Sequence, residues 1–92
     1  MKTLNKQATL LKLKEHQLEW DFNENGIEKD FLFPNFVKAF EFMTKIAVLT
    51  EQHKHHPNWS NVYNNVHIRL TTHDFGGVTQ KDINLAIAIH KI

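Results

Sequence analysis

The 92-residue sequence contains no cysteine. This absence excludes a disulfide scaffold, a zinc site built from thiolates and a cysteine nucleophile, and it is compatible with a reducing cytosol. No apolar run reaches the length of a membrane span. The first residues, MKTLNKQATLLKLKEHQ, lack the continuous apolar core of a signal peptide, because Lys and Gln interrupt them. We therefore expect a soluble, cytoplasmic protein.

Basic residues are few and scattered. Lys and Arg total 11 against 10 Asp and Glu, the formal net charge is +1, and Arg69 is the single arginine. Nucleic-acid binding requires Lys and Arg gathered on one face, so we expect no nucleic-acid partner. The length fits one domain over residues 1–92, and a hydrophobic content of 41% is that of a folded protein. A core this small is marginally stable, so assembly into a homo-oligomer is a natural supplement.

Three segments have the spacing of apolar residues that is typical of amphipathic helices. The first is expected to begin at Thr3 and end near residue 15, and the second to begin with Pro34 and end near residue 53. Thr79 and Asp82, three positions apart, predict a capping box at the start of the third. The residues expected on the buried sides are Leu4, Ala8, Leu10 and Leu11, then Phe36, Val37, Phe40, Met43, Ile46 and Ala47, then Ile83, Ala86, Ile87 and either Ile89 or His90.

Between the helices, apolar and polar residues alternate, as they do in strands with one buried face. Asn25-Gly26 is a strong signal for a hairpin turn, because both residues tolerate positive φ. Asn64-Asn65 is a plausible second turn. The alternating apolar residues are Leu18, Trp20, Phe22, Ile27, Phe31, Phe33, Val66, Ile68 and Leu70.

The predicted order of elements is α-β-β-α-β-β-α. Two hairpins joined by a helix can form one four-stranded antiparallel sheet, and helices on one face of it make an α+β two-layer sandwich. The other face and the edges of the sheet are then open to a partner subunit.

The stretch EQHKHHPNW, residues 51–59, contains three of the seven histidines. His55 and His56 lie where the second helix is expected to end, and His73 follows the longest predicted strand. Imidazole titrates near neutral pH, so histidines in one cleft can exchange protons with a ligand. Each one alone also fits an ordinary polar residue at the end of an element. A metal site is a further hypothesis, since His53 and His56 could share a helical face, although no HExxH motif is present.

Several neighbours of the histidines have two interpretations. Glu51, one turn before His55, either orients a histidine or is a surface acid. Asp82 either reaches the site or serves only the start of its helix. Trp59 and Tyr63 either stack on a flat heterocycle or pack in the core or an interface.

Together these residues resemble the pterin-4a-carbinolamine dehydratases, whose animal member is also called the dimerisation cofactor of a homeodomain transcription factor. The resemblance is dense and keeps its spacing over residues 51–86, whereas the earlier residues share only the layout of elements. It rests on Glu51-x3-His55-His56-Pro57, then Trp59, Asn61-Val62-Tyr63-Asn64, Val66-His67-Ile68, Leu70, Thr72-His73 and Asp82-Ile83-Asn84-Leu85-Ala86.

The resemblance implies the same sandwich fold in a homodimer or homotetramer. It also implies loss of water from 4a-hydroxytetrahydropterin to give quinonoid dihydropterin, without a metal or other cofactor. Aromatic amino acid hydroxylases release that pterin, so the implied role is tetrahydrobiopterin recycling with a hydroxylase as pathway partner. Acid–base groups suffice for this reaction, because one proton must reach the leaving oxygen and another must leave the ring.

The resemblance also implies roles for individual residues. His55 and His73 are expected to donate protons at the C4a hydroxyl, and His56 to hold the pterin ring. Lys81 stands where the family often has arginine, and Phe75 where the residue is often small, so both bear on substrate preference. The implied catalytic residues are His55, His56 and His73, the implied substrate-binding residues are these with Pro57, Thr72, Asp74 and Phe75, and the implied supporting residues are Glu51, Trp59, Lys81 and Asp82.

Two other functions compete with the dehydratase. A binding module could stabilise a partner's dimer through a helix face or a sheet edge, with the histidines as relics. Retention of all three implied catalytic histidines favours the enzyme, since a scaffold needs none of them. A small zinc protein is the third hypothesis, and it requires stoichiometric metal.

Overall fold

The protein, described here over residues 2–92 by a computed structural model, consists of helices packed on an antiparallel sheet. The helices are α1 (Lys6–Glu15), α2 (Phe36–His53) and α3 (Gln80–His90). The strands are β1 (Asp21–Asn23), β2 (Gly26–Leu32), β3 (Asn58–Val62) and β4 (Asn65–Leu70), and a 3₁₀ turn covers His73–Phe75. This order confirms the predicted α-β-β-α-β-β-α sandwich.

The strands lie in the order β1-β2-β4-β3, and every neighbouring pair is antiparallel. In the central strand β4, Val66, Ile68 and Leu70 are fully buried, whereas His67 and Arg69 are half-buried. Side chains alternate across a strand, so the buried residues form the face on which the helices pack. The other face carries mostly polar residues, together with the exposed Leu32 and Val62 at one end.

The first hairpin turn is centred one residue before the predicted position. Asn23 pairs with Gly26, so Glu24 and Asn25 form the turn, with φ of 46° and 64°. Gly26 begins β2 instead, where the guanidinium carbon of Arg69 lies 2.6 Å from the position that a Cβ would occupy. Arg69 uses this space to donate to the main-chain carbonyls of Asn23 at 2.6 Å and Glu24 at 2.5 Å.

The second hairpin turn is also displaced by one residue. Val62 pairs with Asn65, so Tyr63 and Asn64 form the turn, and Tyr63 has a φ of 51°. The side chain of Asn64 donates to the carbonyl of Phe33 at 2.9 Å and ties the turn to the residue that follows β2. A slip of one residue would expose the buried face of β4, so strand pairing outweighs the local preference of the turn residues.

The first helix begins later than predicted and buries a different side. Asn5, not Thr3, caps α1, and its side-chain oxygen accepts a main-chain N–H at 2.8 Å. Leu13 is buried, whereas Leu10 and Leu11 are 41% and 59% exposed, so the prediction for these two residues was wrong. The helix has apolar residues around much of its circumference, and their spacing does not distinguish the buried side.

The second helix also carries apolar residues on more than one side. Asn35 caps α2, and Pro34 precedes the cap instead of entering the first turn. Ala39 and Ile46 face the core. The outer face of α2 consists of exposed apolar residues, most of them predicted to be buried: Phe36, Val37, Phe40 and Val48.

The third helix agrees with its prediction. Thr79 and Asp82 form the capping box at its start, and Ile83, Ala86 and Ile89 are buried. Within residues 2–92, no helix combines the length and the apolar character that crossing a membrane requires.

Candidate active site

A polar pocket of about 230 Å³ opens where α2 ends, β4 ends and α3 begins. All three histidines implied as catalytic contribute to its wall. The lining residues are Lys54, His55, His56, Thr71, Thr72, His73, Asp74 and Lys81. The fold thus gathers into one pocket residues that are up to 27 positions apart in the sequence, from Lys54 to Lys81.

The end of α2 gives the two adjacent histidines different environments. Lys54 adopts the left-handed conformation with a φ of 53°, and the main-chain N–H of His55 donates to the carbonyl of Thr50 at 3.1 Å. A left-handed residue here ends the helix and turns the chain. His55 is consequently buried, with 9% of its surface exposed, whereas His56 lies at the surface. The sequence gives no signal for this conformation at Lys54, because glycine or asparagine is the residue that usually adopts it.

His55 is held by a buried carboxylate. Its Nε2 lies 2.5 Å from Oδ1 of Asp82, whose side chain is fully buried. Oδ2 of Asp82 accepts from the Thr72 hydroxyl at 2.9 Å and from the main-chain N–H of Thr79 at 2.8 Å. The other ring nitrogen of His55, Nδ1, has no hydrogen-bond partner among residues 2–92. Since no buried side-chain nitrogen or oxygen in this range lacks a partner, Nδ1 is in contact with solvent, and the ring to which it belongs lines the pocket.

His56 is held by a different carboxylate in a wetter setting. Its Nε2 lies 2.6 Å from Oε2 of Glu51, and the two side chains are 64% and 76% exposed. Glu51 therefore contacts His56 and not His55. An ion pair this exposed is screened by water and orients the ring only weakly.

His73 approaches the pocket from the opposite wall. It begins the 3₁₀ turn after β4, and its exposed ring makes no hydrogen bond to the described part of the chain. Thr72 and Gly77 close this loop by an isolated β-bridge, and Gly76 completes the turn with a φ of 70°. The loop thus presents a free imidazole next to the carboxylate of Asp74.

Other residues implied by the resemblance do not line this pocket. Pro57 and Phe75 are absent from its wall, and Phe75 is 46% exposed. Trp59 pairs with Ile68 in the sheet and packs against the hydrophobic core. Tyr63 is 63% exposed in the second hairpin turn. The geometry therefore favours a packing role for Trp59 over stacking on a ligand in this pocket.

The metal hypothesis has no ligand set in the described chain. Within residues 2–92, no group of three or more His, Asp or Glu side chains is arranged to hold a metal ion. The site instead consists of two histidine–carboxylate pairs and one free histidine, which are groups suited to proton transfer.

Comparisons with known proteins identify the family. The family model described as pterin 4 alpha carbinolamine dehydratase matches residues 2–92. A relative from Prochlorococcus marinus subsp. pastoris, provisionally named a pterin-4-alpha-carbinolamine dehydratase, is 55% identical over 73 residues, which are 79% of this chain and 76% of the relative. A relative from Rhizorhabdus wittichii with the same provisional name is 47% identical over 76 residues, 80% of this chain and 78% of the relative.

A solved structure gives the same result for the fold. The crystal structure of a transcriptional coactivator/pterin dehydratase from Brucella melitensis superposes with a TM-score of 0.90 at 34% identity. The match covers 97% of this chain and 96% of that one. These findings confirm the predicted family: the chain belongs to the pterin 4 alpha carbinolamine dehydratase family of hydro-lyases.

Proposed function

We propose that this protein removes water from 4a-hydroxytetrahydropterin by histidine acid–base catalysis, giving quinonoid dihydropterin. The observation that carries the proposal is the convergence of His55, His56 and His73 on one pocket, with His55 held by a buried carboxylate. Family membership supports the substrate class.

The reaction needs one proton donor and one proton acceptor. The bond between C4a and its hydroxyl oxygen breaks, and the oxygen takes up a proton and leaves as water. A ring nitrogen loses a proton, and its electrons form the new double bond to C4a. The substrate is neither oxidised nor reduced, and the proton gained by the protein balances the proton given up.

The environments of two histidines support a division of these tasks. His73, which is exposed and free, donates the proton to the leaving oxygen. His55 accepts the ring proton at Nδ1, because a neutral ring whose Nε2–H bonds to Asp82 has its lone pair on Nδ1. This assignment differs from the expectation that both rings donate.

The remaining wall of the pocket supplies binding groups. His56, steadied by Glu51, holds the pterin ring. Asp74 offers a carboxylate to the N–H donors of the pterin, and Lys81 offers a cation to its oxygen acceptors. Pro57 shapes the chain beside His56. Phe75 is adjacent to Asp74 and influences substrate preference only through the position of its loop.

The product of this reaction links the protein to pterin recycling. An aromatic amino acid hydroxylase generates the 4a-hydroxy compound, and dehydration returns it toward tetrahydropterin. We place the protein in the same cytoplasmic pathway as such a hydroxylase, and the lack of cysteine supports this location.

We also propose that the protein is a homo-oligomer that pairs through the outer face of α2. The four apolar residues of this face are between 45% and 63% exposed, and part of the face lines a hollow of about 410 Å³. Glu41 and Lys45 lie beside it with opposite charges. Antiparallel α2 helices of two copies can therefore place Glu41 of one near Lys45 of the other. A chain of 92 residues gains stability from such burial.

Light scattering after gel filtration tests the assembly. Phe40→Lys is expected to lower the molecular mass, because it places a charge within the apolar contact. Leu11→Lys is the matched control, since Leu11 is equally exposed but lies on α1. A monomeric wild type, or dissociation by both variants, would contradict an interface on α2.

Dehydration of substrate generated in place by phenylalanine hydroxylase, followed by absorbance, tests the activity. Wild type is expected to accelerate the step, and His73→Ala to lose about 10²–10⁴-fold of that acceleration, the usual contribution of a general acid. His16→Ala removes a histidine at the end of α1, outside the pocket, and is expected to match wild type. Urea unfolding checks that all three proteins are folded.

The outcomes separate the competing functions. Acceleration that is lost only in His73→Ala supports the enzyme and its proton donor. Acceleration by both variants leaves the enzyme but removes His73 from its mechanism. No acceleration by a folded wild type would favour the binding module.

A further inference from the structure

A chain of buried hydroxyl groups lies beneath the histidine pocket. The hydroxyl oxygens of Thr72 and Thr79 are 2.7 Å apart, and Thr72 also contacts Oδ2 of Asp82 at 2.9 Å. Thr79 and Asp82 are fully buried, and Thr72 is 7% exposed. The resemblance implied only a substrate-binding role for Thr72, yet its side chain points to Asp82.

The hydrogen bonds in this chain have one direction. A hydroxyl has a single proton to donate, and that of Thr72 goes to Asp82. In the contact between the two threonines, the Thr79 hydroxyl must therefore be the donor. The Thr79 oxygen in turn accepts from the main-chain N–H of Lys81 at 3.3 Å. The start of α3 thus orients the chain of donors toward the carboxylate.

The direction of these hydrogen bonds determines which oxygen of Asp82 is left to accept a proton donor from His55. Oδ2 of Asp82 receives two donors, the Thr72 hydroxyl and the Thr79 main-chain N–H, so it carries no proton. Both donors favour the ionised carboxylate, which leaves Oδ1 as an acceptor for Nε2–H of His55. The proton of a neutral His55 ring is then on Nε2, and the lone pair is on the solvent-accessible Nδ1 of a ring that lines the pocket.

We propose that the Thr72 hydroxyl, aligned by Thr79, is a positioning group that fixes the tautomer of His55 through Asp82. Thr72 stabilises the arrangement in which Nδ1 of His55 accepts the ring proton of the substrate. The catalytic consequence of this inference rests on the proposed dehydration, whereas the tautomer does not depend on it.

Two substitutions separate the hydroxyl from the shape of the side chain. Thr72→Val keeps the branched shape and removes the donor, and Thr72→Ser keeps the donor and removes a methyl group. The main-chain bridge between Thr72 and Gly77 involves no side-chain atom, so both variants retain it. Thr79 is less suitable, because its side chain also caps α3.

The expected kinetic effect is on turnover and not on binding. Thr72→Val should lower kcat about 10-fold or more, by analogy with the hydrogen-bond partners that orient metal-bound histidine rings. Its KM should change less than about twofold, since the lost hydroxyl bonds inward to Asp82. Thr72→Ser should keep kcat within about threefold of wild type, because it restores the hydrogen bond.

Nitrogen-15 NMR of the histidine rings, recorded without substrate, tests the tautomer directly. Wild type and Thr72→Ser are expected to show a neutral His55 protonated on Nε2, and Thr72→Val to show a mixture of tautomers. Urea unfolding monitors the fold of each variant.

Three results would overturn the inference. One is that NMR of the wild type shows a neutral His55 ring protonated on Nδ1, and this result requires no variant. Another is a folded Thr72→Val protein with wild-type tautomer and kcat. The third is a loss of kcat in Thr72→Ser at least as large as in Thr72→Val, because the retained hydroxyl would then fail to preserve turnover. If the wild type is inactive but all three proteins show the expected His55 tautomers, the proposed function is refuted. The positioning of His55 by Thr72 then still holds.

Discussion

Replacing Asp82 with Asn changes one atom of a fully buried group and reverses the polarity of one hydrogen bond. The position of Oδ2 receives two donors, so the amide oxygen of Asn must occupy it. The amide nitrogen then faces Nε2 of His55 across the present 2.5 Å contact. An N–H donor there requires Nε2 to accept, which moves the proton of a neutral ring to Nδ1. His55 would then present a donor to the pocket where an acceptor is needed.

The expected magnitudes follow from the same contacts. Loss of the charge weakens three hydrogen bonds and the interaction with the N-terminus of α3, but it also removes the cost of burying a charge. We expect the free energy of unfolding to fall by about 1–3 kcal/mol, which leaves a folded protein if its stability is in the usual range. Turnover should fall more steeply, by about 10²–10⁴-fold, as it does when the wrong tautomer is imposed on a catalytic histidine.

The assay combines urea unfolding with the hydroxylase-coupled dehydration. Asp30→Asn is the matched control, because Asp30 pairs with His67 at 2.9 Å on the open face of the sheet, away from the pocket. The control receives the same chemical change and should keep its kcat. If folded Asp82→Asn retained kcat within about twofold, the general-base role of His55 would be refuted.

Three further predictions concern stability and are measured by urea unfolding. Lys54→Gly should raise the free energy of unfolding by about 1 kcal/mol, because glycine adopts the left-handed conformation at the end of α2 without strain; a loss of stability would contradict that conformation. The double change Glu24→Asn and Asn25→Gly should stabilise the first hairpin by about 0.5–1 kcal/mol, whereas destabilisation would indicate a turn centred elsewhere. Ile83→Ala, in the core, should lower the free energy of unfolding by about 2–5 kcal/mol, and Leu11→Ala, on the surface, by under about 0.5 kcal/mol. Equal losses would argue that Leu11 is not on the exposed side of α1.

The order of elements could be predicted because it depends on local patterns. Val66, Ile68 and Leu70 alternate with polar residues, and Thr79 precedes Asp82 at capping-box spacing, so each element carries its own signal. The positions of the turns depend instead on pairing between strands. Glu24 adopts positive φ because the sheet requires a turn there, although its sequence preference does not indicate one.

Burial was predicted less well in helices with two apolar sides. In α2, Phe40 and Ile46 both belong to apolar stripes, and only the contact with the sheet distinguishes the buried residue from the exposed one. Sequence spacing contains no information about that contact when apolar residues cover more than one face. The excess apolar surface on α2 is the surface that the proposed pairing of two copies would bury.

In the candidate site, too, a local motif identifies residues, whereas the contacts between them depend on tertiary packing. The motif from Glu51 to Pro57 indicated candidate catalytic residues, yet it did not indicate which carboxylate contacts which histidine. Glu51 is nearer to His55 in the sequence but bonds to His56. The partner of His55 lies on α3, 27 positions away, and this pairing depends on the packing of α3 beside the end of α2.

The left-handed residue before the adjacent histidines places them in different environments. The turn at Lys54 directs His55 inward to Asp82 and leaves His56 at the surface beside Glu51. A hydrogen bond between buried groups is stronger than one exposed to water, whereas an exposed pair contributes about 0–1 kcal/mol. The buried pair can therefore hold one tautomer of His55 firmly, and in the proposed mechanism the exposed pair leaves His56 free to adjust to the pterin. Turnover should consequently depend far more on Asp82 than on Glu51, although both carboxylates make equally short contacts with a histidine.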